Sequence, residues 1–306
     1  MKFSSIIVAG FDNFVRRSEI ITGKSKQNQS LNLPESNGFG RLVMHNGSIL
    51  LCGGIKDKNC LKLTQGTWKH HSTLNQNRSS GSIVSTNTAT FIFGGNFESG
   101  QTFEYLPNNS TTWILGKTEI PLKHAHGCAI FVESKQEVWL IGGYNYYTQF
   151  SYRDLNRMIF CFNVNDHTFR PLHISLFDGR ESPSCAIIPG TNQIMITGGK
   201  GKKNNQIYNS TELLDIDEGS IRLARPLNSK RYNHGIGIIT VDGEDKLAVF
   251  GGRNFTTGFL QSVEIYDKET ECWNKSKIKL ESKKGVASSL SVKLGVLYEM
   301  FTSKSN

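Results

Sequence analysis

A short apolar run that ends in two glycines recurs along the chain, and it restricts the fold more than any other feature of the sequence. The intact copies end at Gly54, Gly95, Gly143, Gly199 and Gly252, and a degenerate copy, IIVAGF, places Ala9 and Gly10 at the same point. Successive copies lie 41 to 56 residues apart. A period of this length is typical of propeller arrays. Helical solenoids are disfavoured, because most of their repeats are shorter.

Each repeat has the pattern of four short strands, named a to d here in chain order. The glycine pair ends strand b, and strand c follows a variable loop, as in TFEYL, STELLDID and SVEIYD. Alternating, β-branched segments favour antiparallel strands over helices. Two glycines at a strand end permit positive φ and a close approach of the backbone. The predicted pairs are Gly53–Gly54, Gly94–Gly95, Gly142–Gly143, Gly198–Gly199 and Gly251–Gly252.

With these glycine pairs and the spaced aromatic residues that follow them, such as Tyr266 and Trp273, the sequence resembles the kelch repeat family. The resemblance covers essentially the whole chain. It implies an all-β fold, a six-bladed kelch-type β-propeller that forms one domain over residues 1–306. Blade 1 departs from the pattern because it lacks the first glycine, and blades 1 and 5 lack the final Trp.

The two ends of the chain predict how the ring closes. The predicted blades span roughly residues 1–33 with 285–293, 38–69, 79–114, 125–170, 184–222 and 234–274. The chain begins with a b-type strand and ends with an a-type segment, GVASSLSVK. Because an open ring leaves strand edges unpaired, we expect the C-terminal strand to pair with the N-terminal blade. The alternative is that LGVLYEMF, residues 294–301, begins a degenerate seventh blade.

The cysteines and sequons bear on the compartment. The six cysteines form no CxxC pair, which excludes a zinc ribbon or a thioredoxin-type site. Cys52 and Cys60 flank one b–c turn and could meet, although a reduced pair is expected in a cytosolic protein. Cys128 and Cys185 align with each other on the a strands and are expected to be buried structural thiols. No apolar run reaches the roughly 18 to 20 residues of a membrane-spanning helix. The predicted location is cytoplasmic, and the alternative, suggested by eight N-x-S/T sequons, is secretion.

The search for catalytic and metal-binding residues predicts none. His124 and His126 form an H-x-H that could present two ligands on one side of a strand, but no third ligand is identifiable. His126-Gly127 also aligns with His234-Gly235, which favours a structural role. The chain contains no G-x-S-x-G motif and no phosphate-binding glycine loop. No cofactor is therefore predicted.

Charge separates by face in the predicted propeller. The formal net charge is +9 at pH 7, which favours an acidic partner. Antiparallel blades place the b–c and d–a loops on one face, and most basic residues fall in those loops, whereas acidic residues dominate the opposite loops. The longest b–c loop, YNYYTQFSYRDLN, is rich in aromatic residues. Arginine and aromatic side chains are the residue types that anchor interfaces.

These features predict a non-enzymatic module that binds an acidic or phosphorylated protein or peptide on the b–c and d–a face. The predicted binding residues are Arg78, Arg180, Arg231, Tyr146, Tyr147, Tyr152, Arg153, Arg253 and Phe255. Of these, Arg180 and Arg231 are expected near the mouth of the channel. The family resemblance also implies an adaptor role in ubiquitin-ligase recruitment.

Two alternatives remain open at this point. The first is an enzyme that acts on a carbohydrate or another anionic small molecule at the central mouth, where Arg180, Arg231 or Glu104 are candidates. The second is a nucleic-acid-binding protein, since basic and aromatic surfaces also suit nucleic acid, although no motif supports it.

Overall fold

The fold is all-β. A computed structural model describes residues 3–11, 16–22, 29–32, 40–146, 153–202 and 206–293. Within these ranges every strand pairing is antiparallel, and the helical elements are two short 3-10 turns, Phe97–Gln101 and Glu133–Lys135.

The first half of the chain forms three sheets in sequence order. The first contains β1 (Phe3–Phe11), β2 (Arg16–Thr22), β3 (Gln29–Asn32) and the C-terminal β27 (Gly285–Lys293). The second contains β4 (Arg41–His45), β5 (Ser48–Cys52), β6 (Asn59–Thr64) and β7 (Thr67–Thr73). The third contains β8 (Ser82–Ser85), β9 (Ala89–Phe93), β10 (Phe103–Pro107) and β11 (Ile114–Leu115).

The second half forms three further sheets. The fourth contains β12 (Ala125–Val132), β13 (Glu137–Tyr146), β15 (Met158–Asn163) and β16 (Phe169–Ser175), and a short β14 (Arg153–Leu155) pairs with β13. The fifth contains β17 (Ser184–Ile187), β18 (Gln193–Thr197), β19 (Thr211–Asp215) and β20 (Ile221–Ala224). The last contains β21 (Gly235–Val241), β22 (Glu244–Phe250), β25 (Ser262–Asp267) and β26 (Cys272–Lys279), and β23 (Arg253–Asn254) pairs with β24 (Gly258–Phe259) beside it.

Neighbouring sheets meet through their a strands. β4 contacts β8, β8 contacts β12, β12 contacts β17, and β17 contacts β21. β27 contacts both β4 and β21. This arrangement of sheets around a common axis is a β-propeller.

Separate hydrophobic clusters fill the spaces between sheets. Between the third and fourth sheets, Phe93, Phe103 and Phe162 are fully buried, and the rings of Phe103 and Phe162 lie 4.8 Å apart in an edge contact. Between the last two sheets, the rings of Tyr266 and Trp273 lie 5.2 Å apart. Because such rings carry a large apolar area, these aromatic pairs supply much of the packing between sheets.

The glycine pairs have the backbone conformation that the repeat pattern predicts. All ten glycines have positive φ, from 57° at Gly198 to 144° at Gly54. The constraint is strongest at Gly94, where a Cβ atom would lie 1.8 Å from the backbone oxygen of His124 in the next sheet. Only glycine fits at this position, because two sheets approach each other there through their backbones.

Some d strands extend beyond the predicted blade boundaries. Predicted ends at residues 69, 170 and 274 correspond to strand ends at Thr73, Ser175 and Lys279. These strands lie at sheet edges with polar, half-exposed side chains, and an edge strand tolerates even Pro171 in β16. The sequence therefore contains no clear signal for their ends.

The expectation of reduced cysteines is wrong for four of them. Cys52 and Cys60 are register partners on β5 and β6 with Cα atoms 4.0 Å apart, and they form a disulfide. Cys128 and Cys185 lie on the a strands of adjacent sheets, 6.2 Å apart at Cα, and form a second disulfide. Repeat alignment shows that Cys128 and Cys185 are equivalent, but only the convergence of adjacent sheets brings them within bonding distance.

The C-terminal strand lies in the N-terminal sheet. β27 pairs antiparallel with β1, with Ile7 opposite Leu290 and Phe11 opposite Gly285. The hydroxyl of Ser288 accepts a hydrogen bond from the Leu42 backbone of the second sheet. Backbone N–H groups of β21 in the last sheet donate to the hydroxyls of Ser289 and Ser291. Residues 294–301, the alternative start of a seventh blade, lie outside the described residues.

We expect deletion of residues 285–306 to lower the melting temperature and broaden the transition, because β1 loses its partner and an exposed strand edge remains. The matched control is a chain that ends at Lys293, which keeps β27. Thermal unfolding followed by circular dichroism compares the two. Equal melting of both deletions and the full chain would contradict the structural role of β27.

Candidate functional site

Three of the predicted binding residues lie in the interior and cannot contact a partner. The side chains of Arg78, Arg180 and Arg231 are fully buried. Each forms an ion pair with a fully buried glutamate on strand c of its own sheet: Arg78 with Glu104, Arg180 with Glu212, and Arg231 with Glu264. The prediction that these arginines bind an acidic partner at the channel mouth is therefore wrong.

Each arginine connects the d–a loop to the glycine pair of the same sheet. The guanidinium of Arg78 donates to the backbone oxygen of Gly94 at 2.9 Å, and that of Arg231 donates to the oxygen of Gly251 at 2.7 Å. Arg180 makes the same bond to Gly198 at 3.0 Å. The arginine thus satisfies a carbonyl group that the end of strand b would otherwise leave buried without a partner.

The glutamates hold the beginning of the same loops. Glu104 accepts hydrogen bonds from the backbone N–H groups of Asn75 and Gln76, at 2.6 and 3.0 Å. Glu264 accepts equivalent bonds from Asn228 and Ser229 at 2.7 and 3.1 Å. A buried carboxylate with this many donors is well solvated by the protein, which offsets part of the cost of its burial.

The electrostatics of the pairs follow from burial. Burial lowers the pKa of Arg78, Arg180 and Arg231, and the adjacent glutamate opposes that shift in each case. Burial raises the pKa of Glu212, and the charge of Arg180 opposes the shift. The role of Glu104 as a charged group at an enzymatic mouth is excluded as well, because its carboxylate is fully buried.

These pairs could have been recognised in the sequence, because the arginines and glutamates recur at matching repeat positions. The interpretation of the arginines as surface residues did not use this recurrence. Each arginine precedes its glutamate by 26, 32 or 33 residues. In two of the loops an asparagine stands three positions before the arginine, at Asn75 and Asn228, and its amide donates to the same glutamate. Recurrence at matching repeat positions is the mark of a structural residue.

The other predicted binding residues have different outcomes. Arg253 and Phe255 are exposed on the last b–c loop, in agreement with their assignment to the surface. The backbones of Tyr146 and Arg153 pair across β13 and β14, and their side chains are not described. Tyr147 and Tyr152 lie outside the described residues.

Arg253 and Phe255 belong to a surface group that we call the aromatic–cation patch, defined as Lys200, Tyr232, Arg253, Phe255 and Phe259. The Arg253 guanidinium carbon lies 5.2 Å from the centroid of the Phe259 ring, and the Lys200 ammonium lies 5.7 Å from that of Phe255. The Phe255 ring contacts Tyr232 at 5.9 Å and is 53% exposed. Arg253 is exposed and Lys200 is partly exposed, so both cations are accessible to a partner.

The charge distribution on the b–c and d–a face differs in detail from the prediction. The repeat pattern assigns Lys69, Arg170, Arg222, Lys275, Lys277 and Lys279 to the d–a loops, but all six lie on d strands. The basic side chains that the loops do expose, at least in part, are Lys56, Lys58, Lys117, Lys123, Lys200, Lys202, Arg225, Lys230, Arg253 and Lys283. The exposed acidic ones described there are Glu119, Asp178 and Glu281. A basic surplus therefore remains, carried mainly by lysine.

A cavity of about 880 Å³ opens on the same face, between the loops of the second and third sheets. We call it the loop cavity. Its lining is Ile55, Lys56, Lys58, Asn75, Gln76, Asn77, Ser79, Ser80, Asn96, Ser99 and His126. Lys56 and Lys58 count among the basic b–c loop residues in the sequence, but three separate loops and β12 contribute the lining, so that only the tertiary structure reveals the cavity.

The H-x-H histidines point to different neighbours. The Nε2 atom of His124 lies 2.8 Å from the Ser82 hydroxyl in the interior, whereas the Nδ1 atom of His126 lies 3.1 Å from the Ser182 hydroxyl at the loop cavity. His234 repeats the interior arrangement, with Nε2 at 2.8 Å from the Thr197 hydroxyl. Among the described residues, no group of three His, Cys, Asp or Glu side chains could hold a metal ion.

Comparison with known families identifies the repeat. The kelch motif matches residues 244–276, which run from β22 through Gly251–Gly252 to the Tyr266 and Trp273 pair. The chain is a β-propeller that contains a kelch repeat. The matched segment contains the Arg231 partner Glu264, so this kelch repeat includes one half of a buried ion pair. A comparison with curated proteins finds no significant match. In the described part of the kelch propeller, no helix is long and apolar enough to cross a membrane.

We expect Arg231→Ala in the kelch propeller to lower the free energy of unfolding by about 3–5 kcal/mol, because Glu264 is left buried without its partner. The matched control is Arg222→Ala, which removes an ion pair with Glu271 whose side chains are 49% and 44% exposed. That change should cost about 0–1 kcal/mol. Urea unfolding measures both, and equal losses would contradict the structural role of the buried pair.

The interior histidines predict acid sensitivity. Burial lowers the pKa of His124 to about 4 and that of His234 well below its usual value, and Arg41 and Arg231 respectively add to the shift. The unfolded chain therefore binds protons that the folded protein does not. The free energy of unfolding should fall as the pH drops from 6.5 towards 4, by about 1.4 kcal/mol per pH unit for each such histidine.

The variant His124→Gln should show a smaller loss of stability between pH 7 and pH 5 than the wild type, whatever its stability at pH 7. The control His173→Gln replaces an exposed histidine on β16 and should keep the wild-type dependence. An unchanged pH dependence in His124→Gln, measured by urea unfolding, would show that His124 is not the titrating group.

Proposed function

We propose that this kelch propeller is a non-enzymatic interaction module that binds an acidic or phosphorylated segment of a protein partner on the b–c and d–a face. Kelch propellers generally mediate protein–protein interactions, and the repeat match supports that general role. The observation that carries the finer proposal is the aromatic–cation patch. It combines the residue types that anchor interfaces with a surrounding surplus of exposed lysines.

Four of the exposed large hydrophobic side chains lie at the same end of the sheets. Ile55 and Phe255 are on b–c loops, Phe177 is on a d–a loop, and Met158 begins β15. The proposed binding residues in the described part are now Arg253 and Phe255, with Lys200 and Tyr232 beside them. Tyr146, Tyr147, Tyr152 and Arg153 remain proposed members.

The architecture proposed with this function is a closed ring of six blades. The pairing of β27 with β1 supports it, and so do the contacts of β27 with β4 on one side and β21 on the other. A closed ring holds the loops of all blades in a fixed arrangement, so that residues from distant repeats can contribute to one face.

The compartment and the wider role are also proposals. The disulfides Cys52–Cys60 and Cys128–Cys185 favour an oxidising compartment over the predicted cytoplasm. The sequon asparagines whose side chains are described, such as Asn46 and Asn274, are all at least partly exposed. The adaptor role for a ubiquitin ligase rests on family resemblance and requires the cytoplasmic alternative.

The test compares Arg253→Glu with Lys268→Glu, an exposed residue of a c–d loop on the opposite face. The probes are fluorescein-labelled octapeptides of glutamate, of serine and of phosphoserine, followed by fluorescence anisotropy. We expect Arg253→Glu to weaken binding of the charged peptides on the order of tenfold at low salt, and the difference to shrink as salt rises.

Lys268→Glu should bind as the wild type does, and the serine peptide should bind neither protein. Equal binding of the serine and charged peptides would contradict the proposed preference for acidic partners. Equal loss in both variants would show that the attraction reflects net charge and that no particular face binds.

A further inference from the structure

The loop cavity has chemistry that the proposed function leaves unused. The b–c loop of the second sheet displays Lys56 and Lys58 at the cavity and turns the acid between them inward. Asp57 is 6% exposed, and its carboxylate accepts a hydrogen bond from the Asn59 backbone at 2.8 Å. As a result, no carboxylate is among the residues that line the cavity.

The amide side chains of the lining present donors. The Gln76 oxygen accepts a hydrogen bond from the Thr102 hydroxyl at 2.6 Å, and the Asn96 oxygen accepts one from the Tyr144 hydroxyl at 2.8 Å. Because these oxygens are engaged within the protein, the NH₂ groups are what the two amides offer to a ligand. Hydrogen-bond donors and ammonium groups both favour an anionic ligand.

A buried hydroxyl adds a further donor at the cavity. Ser80 lines it and is 1% exposed, and its hydroxyl has no hydrogen-bond partner among the described residues. Native proteins rarely leave such groups unpaired, so an unpaired hydroxyl at a cavity wall indicates a place where a ligand atom completes the bonding. Ser80 also has positive φ, 61°, which shows that the loop holds it in an uncommon conformation.

The surroundings hold the lining in place. Asn75 donates to Glu104 at 2.8 Å and to the backbone oxygen of Trp113 at 2.9 Å. His126 stacks on Tyr144 with ring centroids 5.3 Å apart, and its backbone N–H donates to the Ser80 oxygen at 2.9 Å. A pre-formed cavity of this kind loses little conformational entropy when it binds.

We infer that the loop cavity binds a carboxylate or phosphate group on the partner segment, with Lys56 as the charge partner and the Gln76, Asn96 and Ser80 side chains as hydrogen-bond donors. The volume, about 880 Å³, lies within the range of ligand sites and accommodates more than one residue of an extended peptide. Ile55, which is 44% exposed, supplies apolar contact at the rim. This inference rests on the proposed function and assigns the recognition of a single acidic group to this cavity.

The experiment uses the full chain and five fluorescent heptapeptides that share one uncharged sequence. Their central residue is aspartate, glutamate, phosphoserine, serine or asparagine. Binding is measured by fluorescence anisotropy for the wild type, Lys56→Glu, Ser80→Ala and Lys283→Glu. Lys283 is the matched control, because it is an exposed lysine of a d–a loop on the same face but outside the cavity. Thermal melting of each variant verifies folding.

We expect the wild type to bind at least one of the three charged peptides (aspartate, glutamate or phosphoserine) at least tenfold more tightly than the serine and asparagine peptides. Lys56→Glu should abolish that preference, Ser80→Ala should reduce it several-fold, and Lys283→Glu should retain it. Whether carboxylate or phosphate is preferred identifies the source of the anion.

The contrary results are distinguishable. If Lys56→Glu and Lys283→Glu weaken binding equally, or if neither does, the cavity proposal is overturned while the interaction face is retained. If the wild type binds all five peptides equally, the acidic preference of the proposed function fails, and the cavity proposal fails with it. If Ser80→Ala alone keeps full preference, the hydroxyl has no part in binding.

Discussion

The buried ion pair between an arginine of the d–a loop and a glutamate of strand c is the interaction on which the rest of this propeller depends. It occurs as Arg78–Glu104, Arg180–Glu212 and Arg231–Glu264, and all six side chains are fully buried. Each ion pair links the d–a loop, strand c and the carbonyl of the glycine pair through its hydrogen bonds. Replacing both members of such a pair by apolar residues changes the stability little. Removing one member is costly, because the other charge is left buried without a partner. The pair therefore defines the position of each loop as much as it stabilises the sheet.

This arrangement divides the basic residues into two groups with different roles. The arginines that recur at matching positions are interior and stabilise the fold, whereas the basic groups exposed on the face are mostly lysines, together with Arg225 and Arg253. The d–a loops held by Glu104 and Glu264 also position Asn75 and Gln76 at the loop cavity and Tyr232 beneath the ring of Phe255. Since the buried pairs fix the loop backbones, the loop cavity and the aromatic–cation patch are pre-formed rather than assembled on binding.

The glycine pairs and the ion pairs are coupled. Positive φ at Gly94 turns its carbonyl group towards Arg78, and the missing side chain lets His124 of the next sheet approach. The recurring element of the third, fifth and last sheets is thus a small network rather than two separate motifs. In the second sheet, Cys60 on β6 is bonded to Cys52 on β5, directly before the glycine pair.

The repeat, the strand character of its parts and the glycine conformations can be predicted from the amino-acid sequence, because they depend on local backbone sterics and on periodicity. The sequence also placed Arg253 and Phe255 on an exposed loop. It did not reveal that Arg78, Arg180 and Arg231 are interior, since a basic residue in a polar loop has the same pattern whether the loop folds outward or inward. Whether the arginine side chain points into the interior depends on a glutamate 26 to 33 residues away and on a carbonyl of the glycine pair. The loop cavity and the Cys128–Cys185 bond were likewise decided only by tertiary structure, because both need the convergence of adjacent sheets about one axis.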